Sequence, residues 1–463
     1  MRIGLIAMSG VRVRTAELAR LGVTLPQFVS RGQVIASLPS LGLLTVAALT
    51  PPDCDVEYRE ISEVTPDTAL EPFDLVGISS FTAQINEAYA LADRYRAAGV
   101  PVALGGLHVS LMPDEAARHA DSIVLYGAEG AWPALVRDFQ NGRLQPRYEG
   151  LRARVFDDPN YVVPRFDLIA GRPYNRMTVQ TSRGCPLDCE FCAASIRLTS
   201  SYQQKSVDKV IAEIRAALDV RRQPFFELAD DNTFVNKKWG KAFLRAVTPL
   251  GIRWFTETDI SIADDEELID LLAESGCRQV LIGLESPEAT GLEGLDPHNW
   301  KRERSGAYLQ AIDRMQARGI TVNGCFILGL DNHTPAIFET VRDFVKQSGL
   351  LEVQVTVQTP FPGTPLYRRL QREGRLLSEQ YWDRCTLFDV NYQPRHMSVE
   401  DLESGLRWLF AEIYNEREFI GRKRRYMELV KTRLGSEFLR REKPSPDRFY
   451  QTGPQDQPAG SER

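Results

Sequence analysis

The sequence lacks an excess of either charge, an apolar run of membrane-spanning length, a cysteine framework and any internal repeat. Its 56 Lys and Arg against 62 Asp and Glu leave a net charge of −6. That balance gives no overall electrostatic case for a nucleic-acid partner. The nearest approach to a long apolar run, Val34 to Leu49, is broken by Pro39 and by small polar residues. It falls short of the roughly 18 apolar residues that suggest a transmembrane helix. The opening Met-Arg-Ile-Gly-Leu-Ile-Ala has no charged region ahead of an apolar stretch and a small-residue cleavage site, so a cytoplasmic protein is expected. Seven cysteines in 463 residues are too few for a disulfide scaffold. The 43% hydrophobic and 25% charged residues are ordinary for soluble domains and exclude long disorder or a fibrous chain.

What is present is a long alternation of short apolar strands and amphipathic helices, the pattern of parallel sheets covered on both faces. Residues 1–145 predict a doubly wound, Rossmann-like α/β domain with strands at Arg2–Ala7, Val56–Arg59, Leu75–Ser79, Val102–Leu104 and Ser122–Tyr126. Ligands of such sheets sit at the strand carboxyl ends, which marks Ser79–Gln84, Gly105–Ser110 and Tyr126–Gly130. Residues 146–175, with Asp157-Asp158-Pro159 and Pro164, show no period and read as a linker. Residues 176–377 carry six further strands, Met177–Thr181, Phe225–Leu228, Arg253–Glu257, Gln279–Leu284, Thr321–Leu328 and Glu352–Gln358, which suggests a partial (β/α)6 barrel. Residues 378–440 read as a helical region, with Ser398 and Asp401 opening a helix, and 441–463 as a disordered tail.

Three of the cysteines lie within eight residues, Cys185, Cys189 and Cys192, a C-x3-C-x2-C directly after the first strand of the second domain. Three thiolates on one loop can hold three irons of a [4Fe–4S] cluster and leave the fourth iron open to a small molecule. A zinc site would call for a fourth Cys or His, and the nearest His in sequence is His119. Glu257 and Glu285 end apolar strands at the carboxyl side of a barrel, where a carboxylate has few structural partners, so both read as functional. Cys277, Cys325 and Cys385 read as small core residues.

The cysteine spacing, with aromatic Phe191 before the third Cys, resembles the radical S-adenosylmethionine (SAM) enzymes from about Met177 to Arg372. The resemblance implies that Cys185, Cys189 and Cys192 hold the cluster and that SAM binds its open iron and is split reductively to a 5′-deoxyadenosyl radical. A reductant such as flavodoxin or ferredoxin would supply the electron. It implies SAM contacts at Phe191, Asp230, Asp231, Ser286, Leu328 and Gly329, joined by Glu257 and Glu285. Asp230-Asp231-Asn232 stands where that family usually has Gly-Gly-Glu, and Cys325 and Asp331 replace Gly and Pro of an adenine-binding element.

The first domain has no G-x-G-x-x-G after its first strand, where the loop is Met8-Ser9-Gly10-Val11-Arg12. It resembles instead the cobalamin-binding domains that precede radical SAM domains. The matching residues are Ser79, Ser80, Phe81, Thr82 and Gln84, then Gly105, Gly106 and His108, then Tyr126, Gly127, Glu129 and Gly130. Hydroxyls at one strand end and glycines at the next let a bulky ligand approach the backbone. A D-x-H-x-x-G element is absent, so no histidine from that position would ligate cobalt, and His108 reads as lining the cavity. The combined resemblance implies a cobalamin-dependent enzyme that moves methyl from methylcobalamin to an unactivated carbon of a small-molecule, lipid or natural-product substrate. A non-methylating cyclisation, rearrangement or oxidation with the same cofactors is the alternative, and a non-enzymatic cobalamin or redox sensor a further one. A methylthiotransferase fits less well, since only Cys54 precedes the cluster motif. The basic stretch Arg422-Lys423-Arg424-Arg425 suits either a solvated helix face or a peripheral contact with an anionic membrane or substrate.

Overall fold

A computed structural model describes residues 1–21, 38–158, 161–172, 174 and 176–441. The tail expected to be disordered lies, from 442 onward, outside the described residues, as do residues 22–37. In the amino-terminal half, β1 (Arg2–Met8), β2 (Asp55–Ile61), β3 (Leu75–Ser79), β4 (Val102–Gly105), β5 (Ser122–Leu125) and β6 (Arg147–Glu149) form one parallel sheet in the order β2-β1-β3-β4-β5-β6. Continuous burial along β1 and β3 is what a parallel sheet covered on both faces requires. Helix Ile85–Ala97 turns Ile85, Ala88, Leu91, Ala92 and Tyr95 inward and stops before Gly99, whose φ of 80° suits glycine. The strand order reverses between β1 and β3, so a crevice opens over the carboxyl ends of β1 and β3.

The second half opens with β7 (Arg176–Val179), followed by a short antiparallel pair, β8 (Ser182–Arg183) and β9 (Gln203–Gln204). Strands β10 (Phe225–Leu228), β11 (Arg253–Thr258), β12 (Cys277–Glu285), β13 (Thr321–Leu328) and β14 (Glu352–Val357) then add to β7 one after another, all parallel. Helices such as Val207–Val220 and Ile337–Ser348 separate them. Because β7 and β14 are the two edges of this sheet, the barrel is open on that side.

Two expectations are corrected. The segment read as a linker begins with β6, which extends the first sheet through Ile123↔Arg147 and Leu125↔Glu149. It continues with the short turns Val155–Asp157 and Phe166–Ile169, which bury Phe156, Phe166 and Ile169. Aromatic anchors without a period leave no helix or strand signal, and that is why the segment looked unstructured. The region read as helical from Ser378 instead starts as an irregular strap. Tyr381, Trp382 and Cys385 join the apolar cluster of the first sheet, and Asp389 accepts from the backbone N–H of Arg14 (2.9 Å) and Thr15 (2.8 Å). Helix Val399–Ile413 then starts at the expected Ser398–Asp401 capping box. In the last helix, Glu416–Arg441, Arg422 is buried and donates to the carbonyls of Ile413 and Leu351, while Lys423, Arg424 and Arg425 are exposed. Contacts at Gly319 and Leu351 place this helix by the amino ends of β13 and β14, away from the strand ends that carry the candidate site.

Candidate functional site

The cysteine loop leaves the carboxyl end of β7 and is held from five directions. Asp230, at the end of β10, accepts from Thr181 N (2.7 Å), Thr181 Oγ1 (2.5 Å), Ser182 N (2.8 Å) and Thr233 Oγ1 (2.8 Å). Asp231 accepts from Ser195 Oγ (2.7 Å) and Ile196 N (3.3 Å), and that same hydroxyl oxygen accepts from Gly184 N (2.7 Å). Arg197 donates to the carbonyls of Cys192 (2.9 Å) and Cys189 (3.0 Å) and pairs with Asp188. Glu190, inside the motif, takes a two-pronged contact from Arg369 (2.6 and 3.0 Å) on helix Pro365–Arg372, and Arg369 also reaches Asp331 (2.6 Å). Arg183 pairs with Glu129 of the first half. Partly exposed pairs of this kind are each worth only about 0–1 kcal/mol, so what they give the loop is a fixed shape.

Burial pushes the thiols of Cys185 and Cys192 up and that of Cys189 up to about 12. Soft metal ions displace such protons on ligation, whereas catalysis by a free thiolate needs the opposite shift. Among the described residues no three His, Cys, Asp or Glu side chains converge on a single ion. A cluster takes one sulfur at each of three separate corners and needs no such convergence, so the donor set fits the cluster better than zinc.

Asp230 and Asp231, expected to contact SAM, are spent on the loop itself, with backbone and hydroxyl donors arriving from residues 181–196. Glu285 is also partnered. It ends β12 with φ of 61° and pairs at 2.9 Å with Lys301, a buried ammonium that donates to Gly283 O as well. Burial opposes the Lys301 charge, but Glu285 and the nearby Cys189 thiol act together against it and hold the pKa above the usual lysine range. Ser286 lies 3.1 Å from His333 Nε2. Glu257 faces the barrel interior, accessible from its cavity, and desolvation with neighbouring Glu227 raises its carboxyl to about 8. Phe191 is half-buried against the core, Leu328 is buried in β13, and Gly329 has φ of 83° with its carbonyl accepting from Tyr392. Lys301, Arg197 and Arg369 carry no sequence signal, nor does Gln358, buried at the end of β14 with neither amide atom partnered.

A cavity of about 320 Å3 lies between the first sheet and the barrel. Of the residues read as cobalamin contacts, Ser79, Gly105, Gly106, Tyr126, Gly127 and Glu129 line it. Ser80, Phe81, Thr82, Gln84, His108 and Gly130 do not. Gln84 accepts from Gly10 N (2.8 Å) and donates to Ser62 O, while Phe81 is exposed and Gly130, at φ of 76°, precedes helix Ala131–Gln140. His108 is buried with Nδ1 3.3 Å from Thr82 Oγ1 and Nε2 3.3 Å from Glu115, edge-on to Trp382. The expectation that it lines the cavity is therefore corrected to a core histidine that joins the first half to the carboxyl-terminal strap. The remaining walls come from helix Leu41–Leu49, from Phe156, Tyr161 and Val162, and from Lys205 and Glu213 of the barrel side. The walls are mainly apolar, the glycines at β4 leave the backbone open, and Glu213 Oε2 is buried without a partner. A flat, largely apolar ring with a few hydrogen-bonding groups, such as the base at the end of the nucleotide tail of cobalamin, fits these residues.

Comparison with known proteins matches both halves of the chain. The radical SAM superfamily matches residues 179–345 and the B12 binding domain residues 33–136, while a domain of unknown function (DUF4070) matches 364–446. Bacteriochlorophyllide d C-12(1)-methyltransferase of Chlorobaculum tepidum is 27% identical over 388 residues, covering 82% of this chain and 83% of that protein. Hopanoid C-2 methylase of Rhodopseudomonas palustris is 27% identical over 361 residues, covering 75% and 67%. The radical SAM methyltransferase TsrM of Kitasatospora setae, solved with cobalamin and a [4Fe–4S] cluster, shares the fold with a TM-score of 0.63 at 15% identity, over 89% of this chain and 88% of that one. The chain thus carries a radical SAM domain with a B12 binding domain on its amino-terminal side.

Proposed function

We propose that the chain is a cobalamin-dependent radical SAM methylase acting on an unactivated carbon of a small-molecule, lipid or natural-product substrate. The observation that carries this reading is adjacency: the loop with the three thiols and the cavity beside the first sheet share Arg183, Ser195 and Leu198 as a common wall. Cys185, Cys189 and Cys192 would hold the cluster, and Ser79, Gly105, Gly106, Tyr126 and Gly127 would hold cobalamin. When bound, the cluster with SAM supplies a carbon-centred radical and cobalamin supplies the methyl group.

The chain's own contribution is placement and exclusion. Asp230, Asp231 and Arg197 fix the thiol loop, and Trp132 and Phe156 give the cavity apolar walls that would shield a bound group from water. Glu257, neutral below about pH 8, presents a hydroxyl donor to the barrel interior without adding a charge there. The external electron would come from a flavodoxin or ferredoxin, in the cytoplasm.

The test is anaerobic turnover of the reconstituted full chain with SAM and reductant, quantifying S-adenosylhomocysteine and 5′-deoxyadenosine together against Cys185→Ala. Formation of both, dependent on cobalamin, supports methyl transfer. Formation of 5′-deoxyadenosine alone, with cobalamin bound and substrate consumed, overturns methyl transfer in favour of non-methylating radical chemistry.

A further inference from the structure

Arg183 and Glu129 are charged residues on the wall of the cavity, yet each is spent on the other. The pair is two-pronged, with Nη2 to Oε1 at 2.8 Å and Nη1 to Oε2 at 3.2 Å, and the side chains are 19% and 11% exposed. The third guanidinium nitrogen, Nε, donates to Gln180 Oε1 at 2.9 Å, and the group lies 5.2 Å from the centre of the Phe156 ring. The surrounding backbone is shaped for the pair. A Cβ at Gly127 would come within 2.5 Å of Glu129 Oε2 and 3.4 Å of Arg183 Nη1. Gly184, next to Arg183, has φ of 85°, and a Cβ there would press on Thr199 Oγ1 at 2.9 Å.

The two ends of this pair lie on different functional elements. Arg183 is two residues before Cys185, and Glu129 lies on the loop after β5 that lines the cavity. We propose that Arg183 and Glu129 are positioning residues that set the separation and orientation of the cluster relative to cobalamin, an inference that rests on the function proposed above. A partly buried ion pair is weak evidence for stability, since desolvation cancels much of its attraction. A guanidinium fork on a carboxylate does fix direction as well as distance, and a lysine ammonium does not. Group transfer between two bound partners depends steeply on such placement.

The experiment uses the full chain loaded with cluster and hydroxocobalamin, then reduced, and reads the magnetic coupling between cobalt(II) and the reduced cluster by electron paramagnetic resonance. Wild type is expected to show one defined coupling. Glu129→Gln and Arg183→Gln are expected to lose that definition while iron content stays at the wild-type level and cobalamin affinity changes by less than about tenfold. Arg183→Lys guards against misfolding of the neutral variants, because it keeps the charge and most of the volume. It is expected to broaden the coupling too, since the fork is lost.

Unchanged coupling in all three variants overturns the proposal. So does a loss of affinity beyond about tenfold with unchanged coupling in the loaded fraction, which would make Glu129 a direct cobalamin contact. A wild-type chain that takes up the cluster but no cobalamin overturns the functional reading, and the positioning role with it. The two failures are therefore distinguishable.

Discussion

The thiol loop and the cavity beside the first sheet are neighbours built on opposite principles. The loop is specified by polar contacts: Asp230 alone takes four donors, and Arg197, Asp231, Arg369 and Arg183 hold the rest. The cavity is specified by shape, through the glycines at β4, the indole of Trp132 and the apolar helix Leu41–Leu49. A site made of ligating atoms tolerates no exchange of those atoms. A site made of space fails when the space is filled. The comparison also separates the two cofactors, because each can be removed through residues that the other does not use.

The largest expected effect is that of Cys185→Ala. Iron and sulfide content should collapse and product formation should be abolished, while cobalamin titration of the same variant stays near wild type. Next is Gly105→Val. A Cβ at this position meets Val124 only at ordinary contact distance, 3.6 to 3.7 Å, so the strand accepts it while the added methyls enter the cavity. Cobalamin affinity should fall at least about tenfold by absorbance titration, with iron content unchanged.

A smaller effect separates a barrel carboxyl from both sites. The folded-state pKa of Glu257 is raised to about 8, so the folded chain holds a proton that the unfolded chain releases. The sign follows: its contribution favours the folded state below the ordinary carboxylate range and is lost as pH rises towards about 8. Glu257→Gln should flatten the fall in stability over that window, measured by urea unfolding of the cofactor-free chain at a series of pH values. The smallest effect is that of His108→Gln. It should leave the cobalt spectrum unchanged and cost about 1 kcal/mol in unfolding free energy, from a weakened contact with Glu115 and Trp382. A shifted cobalt spectrum would instead make His108 a ligand.

The sequence made the two regions unequally legible. Strands such as Leu75–Ser79, Phe225–Leu228 and Thr321–Leu328 are apolar or alternating runs between turn signals and fall where the pattern puts them. The three-residue β6 is too short to carry a pattern, and in sequence it is indistinguishable from linker. The thiols were legible because metal ligation constrains residue type and spacing together. Asp230 and Asp231 were legible as important but not in role, since their partners other than Thr233 lie 35 to 49 positions earlier in the chain. Lys301 sits on a five-residue helix with no period, and its partnership with Glu285 exists only once β12 has bent at that residue. For the cavity, strand ends gave the floor. The walls from Phe156, Tyr161 and Glu213 come from elements whose approach no local pattern encodes.

The central claim is that one chain holds two cofactors in adjacent, separately built places. The most direct test is metal analysis of the anaerobically reconstituted full chain and its two variants, supplied with iron, sulfide and cobalamin together. The account predicts about four iron and one cobalt per wild-type chain, cobalt without iron in Cys185→Ala, and iron without cobalt in Gly105→Val. Iron without cobalt in the wild type, or loss of both metals in either variant with the fold intact, would contradict it.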